Sequence, residues 1–463
     1  MARRWTAQGV PLRPKSREFL ILLRNLTMIS LFIHLASLAA TQTAYGASFS
    51  MLRWFSLFAL AGFSGLCWIT SQQRPGRLES VNIRVLIYLA LWGLTVISAE
   101  YPLFSGYRWF AHAMILVSSL VFLPHILRMT DASKVLLALK LIVIVILIMS
   151  YFWPAKLTVL DDPRLYRGIL GNANALGHMA AVGCLLFLHG FLTQRGTRWG
   201  LLQGAMAGLA GILLIKSGAR SSTVAFLAGF LVLYVLYKSH LSRYVIFGVV
   251  SVAIALVAIP DLPESIGKFV VKQGDEAHSG TTMERLTYSR QASLESSWEG
   301  FNERPVLGWG FGLDKDTNLS GWHGEWIAVG ANGRDTVNDV TYTLESGGIV
   351  GLFAYVFILA LIFKAWIPGA LRSMLDVRLR RSGYQLLASV YEAQKAFYCL
   401  TALLIVMFEF DNTALAAGNF FSALVWVSLG LSLGLQALLM YSLRYQTPIP
   451  DSLRRPTAVH PVG

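Results

Sequence analysis

The chain has 463 residues, of which 55% are hydrophobic and only 14% charged, with a mean hydropathy of +0.55. A water-soluble fold of that composition would lack the polar residues to cover its surface, so the sequence reads as a polytopic membrane protein. The formal net charge of +14 is distributed by topology, which argues against nucleic acid as a partner.

Apolar runs near the bilayer-crossing length of about 20 residues recur at 19–39, 52–70, 83–99, 109–127, 134–153, 169–192, 199–215, 220–237, 242–260, 344–366, 386–409 and 416–441. They predict an all-α integral membrane fold of about 12 transmembrane helices with one large, partly helical loop. Residues 1–260 hold the first nine spans, 261–343 the loop, and 344–463 the last three spans and a tail. The first run contains "LASLAATQTA", which has small residues at signal-cleavage spacing, but its length reads as an anchor. Cys67, Cys184 and Cys399 lie inside apolar runs without metal or disulfide spacing and read as core residues.

Lys and Arg set the orientation. The N-terminal "MARRWTAQGVPLRPKSR" is basic, hence cytoplasmic, and "QQRPGR", "RMTDASK", "TQRGTR", "KSHLSR", "RSMLDVRLRR" and "SLRRPT" all fall on the same side. Both termini are therefore expected in the cytoplasm. The loop 261–343 falls on the opposite side, with seven Lys/Arg against thirteen Asp/Glu.

The first outward helix start in the second half of the bundle is "DDPRLYRGILGNANALGHMAAVG". Arg164 and Arg167 precede it, and Asn172, Asn174 and His178 enter the span. Paired amides there indicate either a polar cavity or interhelical hydrogen bonds, and Gly177 with Ala181 has the small-xxx-small spacing of tight packing. Next comes "LLIKSGARSSTVAF", where Lys216 and Arg220 flank the turn into another outward helix start. Free N–H groups and the helix dipole favour an anion at such a point. Two cations and several hydroxyls beside them form a candidate phosphate cradle; the plainer alternative is that Arg220 snorkels to headgroups.

In the loop, Thr281 and Glu284 of "TTMERLTYSRQASLESSWEGFNERPVLGWGFG" read as a capping box. At 100° per residue, Met283, Arg290, Leu294, Trp298 and Phe301 share one face, destined for burial or lipid, and Arg285 points nearly opposite. A cation on that face needs an anionic partner, either a neighbouring Glu or a ligand phosphate. "PVLGWGFG" then breaks the helix, and its glycines permit close backbone approach.

Four passages resemble the O-antigen ligase and O-antigen polymerase superfamily of bacterial envelopes: "GILGNANALG", "KSGARSSTVAF", "SRQASLESSWEGFNERPVLGWGFG" and "LESGGIVGLFAYVFIL". Each is degenerate alone, but they stand in the family's order around a large loop. The resemblance implies a multi-pass protein of the bacterial inner membrane, with the loop and active site in the periplasm. It implies an inverting transfer of a glycan from undecaprenyl diphosphate to a sugar hydroxyl of another lipid-linked glycan or of lipid A core, without metal, nucleotide or other cofactor. By position, Arg220 matches the arginine expected to hold the diphosphate. Arg290 matches the loop arginine by its distance to Pro305, with Arg285 as the alternative register. Lys216, Arg164, Arg167, Asn172, Asn174 and Glu345 are expected around the substrate. Arginine suits a leaving diphosphate because fixed cations stabilise the charge it gains.

One departure stands out. Where many family members carry His-Asn, about nine residues before the motif's glutamate, this chain has Thr336, Val337 and Asn338. The proton of the acceptor hydroxyl then needs another base; His323 and Asp339 are the leading candidates, with Asp335 and Glu345 behind them. The missing histidine tilts the reading toward polymerase over ligase. The competing class is a transporter or flippase of lipid-linked or anionic solutes. It would need polar groups reaching the midplane from both sides, whereas the sequence suggests that such groups cluster at the outer ends.

Overall fold

The computed structural model describes residues 14–43, 45–71, 79–127, 131–153, 166–237, 282–315, 317, 339–374, 385–409 and 419–445. Twelve helices form the described fold: α1 Pro14–Thr41, α2 Ser50–Ser71, α3 Glu79–Ile97, α4 Pro102–Leu116, α5 Asp131–Phe152, α6 Ala173–Thr193, α7 Arg198–Ser217, α8 Arg220–Leu236, α9 Thr282–Glu303, α10 Asp339–Met374, α11 Gln385–Phe408 and α12 Phe420–Tyr445. Among the described residues, nine helical stretches are long and apolar enough to cross a membrane, and Val81–Ile97 and Arg220–Leu236 are shorter apolar helices. The expected span at 242–260 lies outside the described residues.

Helix boundaries follow local chemistry. The sixth span starts at Ala173, not 169, because Asn172 caps it: Oδ1 accepts from Ala175 N at 2.6 Å. Thr197 caps α7 in the same way, and Gly218, left-handed at φ 64°, ends it. The fourth span begins seven residues before its expected start, at Pro102, whose missing N–H is harmless in a first turn. It continues through a π-helical segment, Val117–Phe122, to Ile126. Ser105, Gly106 and Arg108 dilute the apolar signal there.

Adjacent helices pack in sequence order as α1 on α2, α6 on α7 and α11 on α12, while α8 lies along α11 and α10 along α3. At one end of the bundle the connections meet. Gly171 N donates to Gln42 O at 2.8 Å, and Thr43 bridges Leu170, joining the α1–α2 and α5–α6 connections. The α7–α8 turn and the residues after α9 lie at this end, called here the site end.

The expectation that polar groups cluster at the outer ends is corrected at the opposite end. Arg24 and Asp131 form a buried ion pair at 3.3 Å. Lys140 Nζ donates to Gln203 Oε1 at 2.8 Å. The Tyr237 hydroxyl donates to Glu392 and lies 3.2 Å from His189 Nε2, and Lys395 pairs with Glu392 at 3.2 Å. In a medium without water, such groups must find one another, and these pairs tie α1, α5, α6, α7, α8 and α11 together.

Candidate functional site

Two groups of predicted residues lie at the site end. The first is built on the α7–α8 turn. Lys216 sits in the last turn of α7, and Arg220, half-buried, is the first residue of α8. No acidic residue stands in the first turn of α8, so Arg220 adds its charge to the positive end of the helix dipole. Ser217 Oγ accepts from Ala219 N at 3.3 Å, which fixes the turn. Gly177 of α6 packs on this turn; a Cβ there would strike Ala219, Ser217 and Ser222. That contact fulfils the small-residue reading of α6 and brings the two outward helix starts side by side.

The α5–α6 connection completes the group. Tyr166 N donates to Lys216 O at 3.4 Å, and the Lys216 ammonium lies 5.6 Å from the Tyr166 ring centroid and 5.7 Å from that of Tyr151. Such placement holds the cation by its attraction to aromatic faces. Burial, and then the neighbouring Tyr151, raise the Tyr166 phenol above its ordinary value, so it stays neutral beside the lysine. Arg167 Nη1 reaches Gly171 O at 3.5 Å. Asn172 is spent on its cap, whereas Asn174 is exposed. His178 is buried against the Phe421 ring and belongs to the packing.

The second group forms around a break in α10. Gly348 has φ 59° and ψ −153°, outside the helical region. The residues after α9 run across this break as a strap. Trp309 N and Gly310 N donate to the carbonyls of Glu345 and Ser346 at 3.1 and 2.7 Å. In return, Ile349 N and Val350 N donate to the carbonyls of Pro305 and Val306 at 2.9 and 3.2 Å. The backbone groups freed by the break are thereby satisfied within protein, the condition for irregular chain inside a membrane protein. Gly308, Gly310 and Gly312 all have positive φ, which allows the strap to lie this close.

Side chains lock the strap on both sides. Ser105 Oγ of α4 donates to Phe311 O at 2.9 Å, and Arg108 donates to Gly312 O. Phe311, fully buried, sits between Trp92 and His112. The Arg304 guanidinium lies 4.0 Å from the Trp309 ring centroid, and Trp309 Nε1 donates to Gly300 O at 3.0 Å. Glu345 is fully buried and its Oε1 accepts from Lys315 N at 3.2 Å. Asp339, the first residue of α10, is also fully buried, within electrostatic range of Tyr88, Tyr342 and Tyr355. Neither carboxylate is thus a solvated loop or helix-end charge. Sequence reasoning missed Arg108, which stands just before the apolar run 109–127; a cation at the edge of a span was the available signal.

The loop helix α9 forms as expected. Leu294 and Phe301 of the apolar stripe are partly buried and Trp298 is 57% exposed, whereas Ser296, Ser297 and Gly300 are buried and Gly300 faces Glu345. At the C-terminal end the small residues make the protein contact and Trp298 lies on the side open to lipid. The Arg285 and Arg290 side chains, Arg164, His323 and Asp335 lie outside the described residues.

No curated protein matches the chain. Residues 205–356 match the family described as O-antigen ligase. That segment runs from α7 to Val356 of α10 and includes Lys216, Arg220, the loop arginines, Asp339 and Glu345; Arg167, Asn172 and Asn174 precede it. This segment, about a third of the chain, carries the arginine-opened α8 and the strapped break in α10, and it is what the chain has in common with the O-antigen ligase family.

Proposed function

We propose that the protein transfers a glycan from a polyprenyl diphosphate, undecaprenyl diphosphate in a bacterial envelope, to a sugar hydroxyl at the periplasmic face of the inner membrane. The family match over residues 205–356 supports a ligase- or polymerase-type activity. The observation that carries the finer reading is the α7–α8 turn, where Lys216, Arg220 and a helix start without a side-chain cap lie within a few residues, with no first-turn carboxylate. Arg220 makes charge-assisted hydrogen bonds to the diphosphate, and these strengthen as the bond from the anomeric carbon to the phosphate oxygen breaks. The acceptor oxygen attacks that carbon from the opposite side and gives up its proton.

Glu345 is committed to the strap through Lys315 N, so its part is to position. Asp339 is then the carboxylate for the acceptor's proton, and its burial requires the bound acceptor to open a path to it. Arg167 and Asn174 line the rim beside the diphosphate. The missing family histidine favours chain extension, in which the acceptor is a second lipid-linked glycan, over attachment to lipid A core.

The test is turnover of a synthetic polyprenyl-diphosphate glycan by purified protein without added metal or nucleotide. Product containing two repeat units supports the polymerase; no product from any lipid-linked glycan acceptor or from lipid A core removes the transfer reading. In a deletion strain, loss of long chains with single repeats retained marks a polymerase, and free polymer marks a ligase. Loss of long chains and single repeats alike, with lipid-linked repeats trapped in the cytoplasmic leaflet, would favour the flippase.

A further inference from the structure

The break at Gly348 doubles α10 back on itself. Thr343 O lies 3.1 Å from the point where a Gly351 Cβ would stand, whereas a straight helix would set the two residues about 12 Å apart along its axis. Both arms rest on Trp92 of α3, whose ring a Cβ on Gly347 or on Gly351 would meet at 2.6 or 3.0 Å. One turn farther from the site end lie Tyr88 on α3 and Tyr355 on the second arm. Asp339, at the start of the first arm, falls on the same side of Trp92. The fold thus sets a buried carboxylate among buried tyrosines beneath the strap.

The tyrosines differ in what already holds them. The Tyr355 hydroxyl donates to Glu409 Oε1 at 2.9 Å. The Tyr88 hydroxyl lies 3.1 Å from His112 Nε2 of α4. His112 is fully buried, with the Phe311 ring of the strap 5.2 Å away on centroids and the Trp426 ring 5.9 Å away, edge-on. Its Nδ1 meets no partner among the described residues. Orphaned buried N–H groups are rarer than under-satisfied acceptors, so the ring proton is assigned to Nε2, which donates to the Tyr88 oxygen. The Tyr88 O–H is then left to donate in its turn, and Asp339 is the carboxylate within its electrostatic range.

A buried carboxylate that is to take a proton needs a donor that fixes its orientation. We infer that Tyr88 and His112 are positioning residues for Asp339: the imidazole orients the Tyr88 hydroxyl, and that hydroxyl holds one carboxylate oxygen while the other is presented to the acceptor. No bond between heavy atoms changes in this chain, and the acceptor's proton ends on the presented oxygen of Asp339. The strap closes the arrangement. Phe311 lies against the imidazole, and its carbonyl is held by Ser105, two turns earlier on the helix that carries His112. Docking of the strap and alignment of the carboxylate are therefore one event. The part given to Asp339 rests on the transfer reading; the tie among the three side chains does not.

The first readout needs no turnover. A hydrophobic carbodiimide adds to buried carboxyl groups in their protonated form, and peptide mapping of the labelled full-length protein gives the rate at Asp339. A hydrogen bond to a charged group is worth at least about tenfold, so Tyr88→Phe and His112→Leu should label at least about that much faster than wild type. His112→Gln, whose amide can donate in place of Nε2, should stay near the wild-type rate. The second readout is turnover of the polyprenyl-diphosphate glycan. Tyr88→Phe and His112→Leu should lower kcat by a similar factor with KM little changed, and the double variant should be no slower than the worse single one, because the pair acts as a unit. Tyr88→Phe removes one oxygen and keeps the ring, so it decides the matter if melting shows that His112→Leu does not fold. Labelling at the wild-type rate in Tyr88→Phe, or His112→Gln labelling as fast as a folded His112→Leu, overturns the inference, as do additive losses in kcat. Variants that label as expected in a protein that transfers no glycan uphold the tie and remove the transfer reading.

Discussion

Gly348→Ala tests the strapped break directly. The residue's φ of 59° with ψ of −153° is a region that only glycine adopts freely, and an added Cβ would come within 2.5 Å of the Val306 carbonyl and 2.7 Å of the Pro305 oxygen. Holding alanine in that conformation costs about 1–3 kcal/mol. Relieving the collision means withdrawing residues 305–306, which breaks the bonds from Ile349 N and Val350 N. Two such bonds contribute a net of about 0.5–1.5 kcal/mol each. The sum is about 2–6 kcal/mol, so the balance between docked and lifted strap moves by at least about thirtyfold. Glu345 then loses its tie to Lys315. Limited trypsin digestion of the purified protein should cut faster at Lys315, and turnover should fall at least about tenfold. Gly62→Ala is the control, because no atom lies within 4 Å of its added methyl, and it should change neither readout. Cleavage and turnover at wild-type levels in Gly348→Ala would refute the idea that the break positions the site.

Arg220→Ala should be nearly inactive at normal membrane abundance, and Arg220→Lys should lose about a hundred- to thousandfold in rate, because lysine keeps the charge without the planar fork. Lys216→Ala should retain measurable activity; wild-type turnover in Arg220→Lys would leave only snorkelling. Arg108→Lys should lower kcat more than KM by loosening the Gly312 carbonyl, and an unchanged kcat would make Arg108 a packing residue. Arg24→Ala leaves Asp131 buried without its cation and should destabilise the protein by about 3–5 kcal/mol, whereas Arg24→Met with Asp131→Leu should be near neutral, as read by thermal aggregation in detergent. Cysteines placed at positions 75 and 380 should be shielded from an impermeant thiol reagent in spheroplasts and one at 318 should label; the reverse pattern inverts the topology.

The sequence revealed the spans because hydropathy is a local property: α5, for example, has a mean hydropathy of 2.8 over its window. The Arg220 turn was legible for a similar reason, since Gly218, the flanking cations and the following hydroxyls sit within a few residues. What stayed hidden depends on partners distant in the chain. Tyr237 and Glu392 carry no mark that they will meet, and neither do Arg24 and Asp131. The α9 stripe left its partner open because periodicity identifies a face without saying what lies opposite; the protein contact is made by the buried Ser296, Ser297 and Gly300, with Gly300 against Glu345. Arg108 was passed over because its partner is a backbone carbonyl, which every residue supplies.

The ion pair between Arg24 and Asp131 has a consequence for how the chain enters the bilayer. Arg24 lies in α1, and its carboxylate partner is made only four helices later, at the start of α5. Until then a cation inside a span of mean hydropathy 1.8 carries an insertion penalty of up to about 2.5–3.5 kcal/mol. The first helix is therefore the least secure segment during synthesis, reaching the interface by snorkelling or waiting beside the translocon. It becomes a settled span only when α5 delivers the aspartate, so the beginning of the chain is among the last parts of the bundle to be fixed.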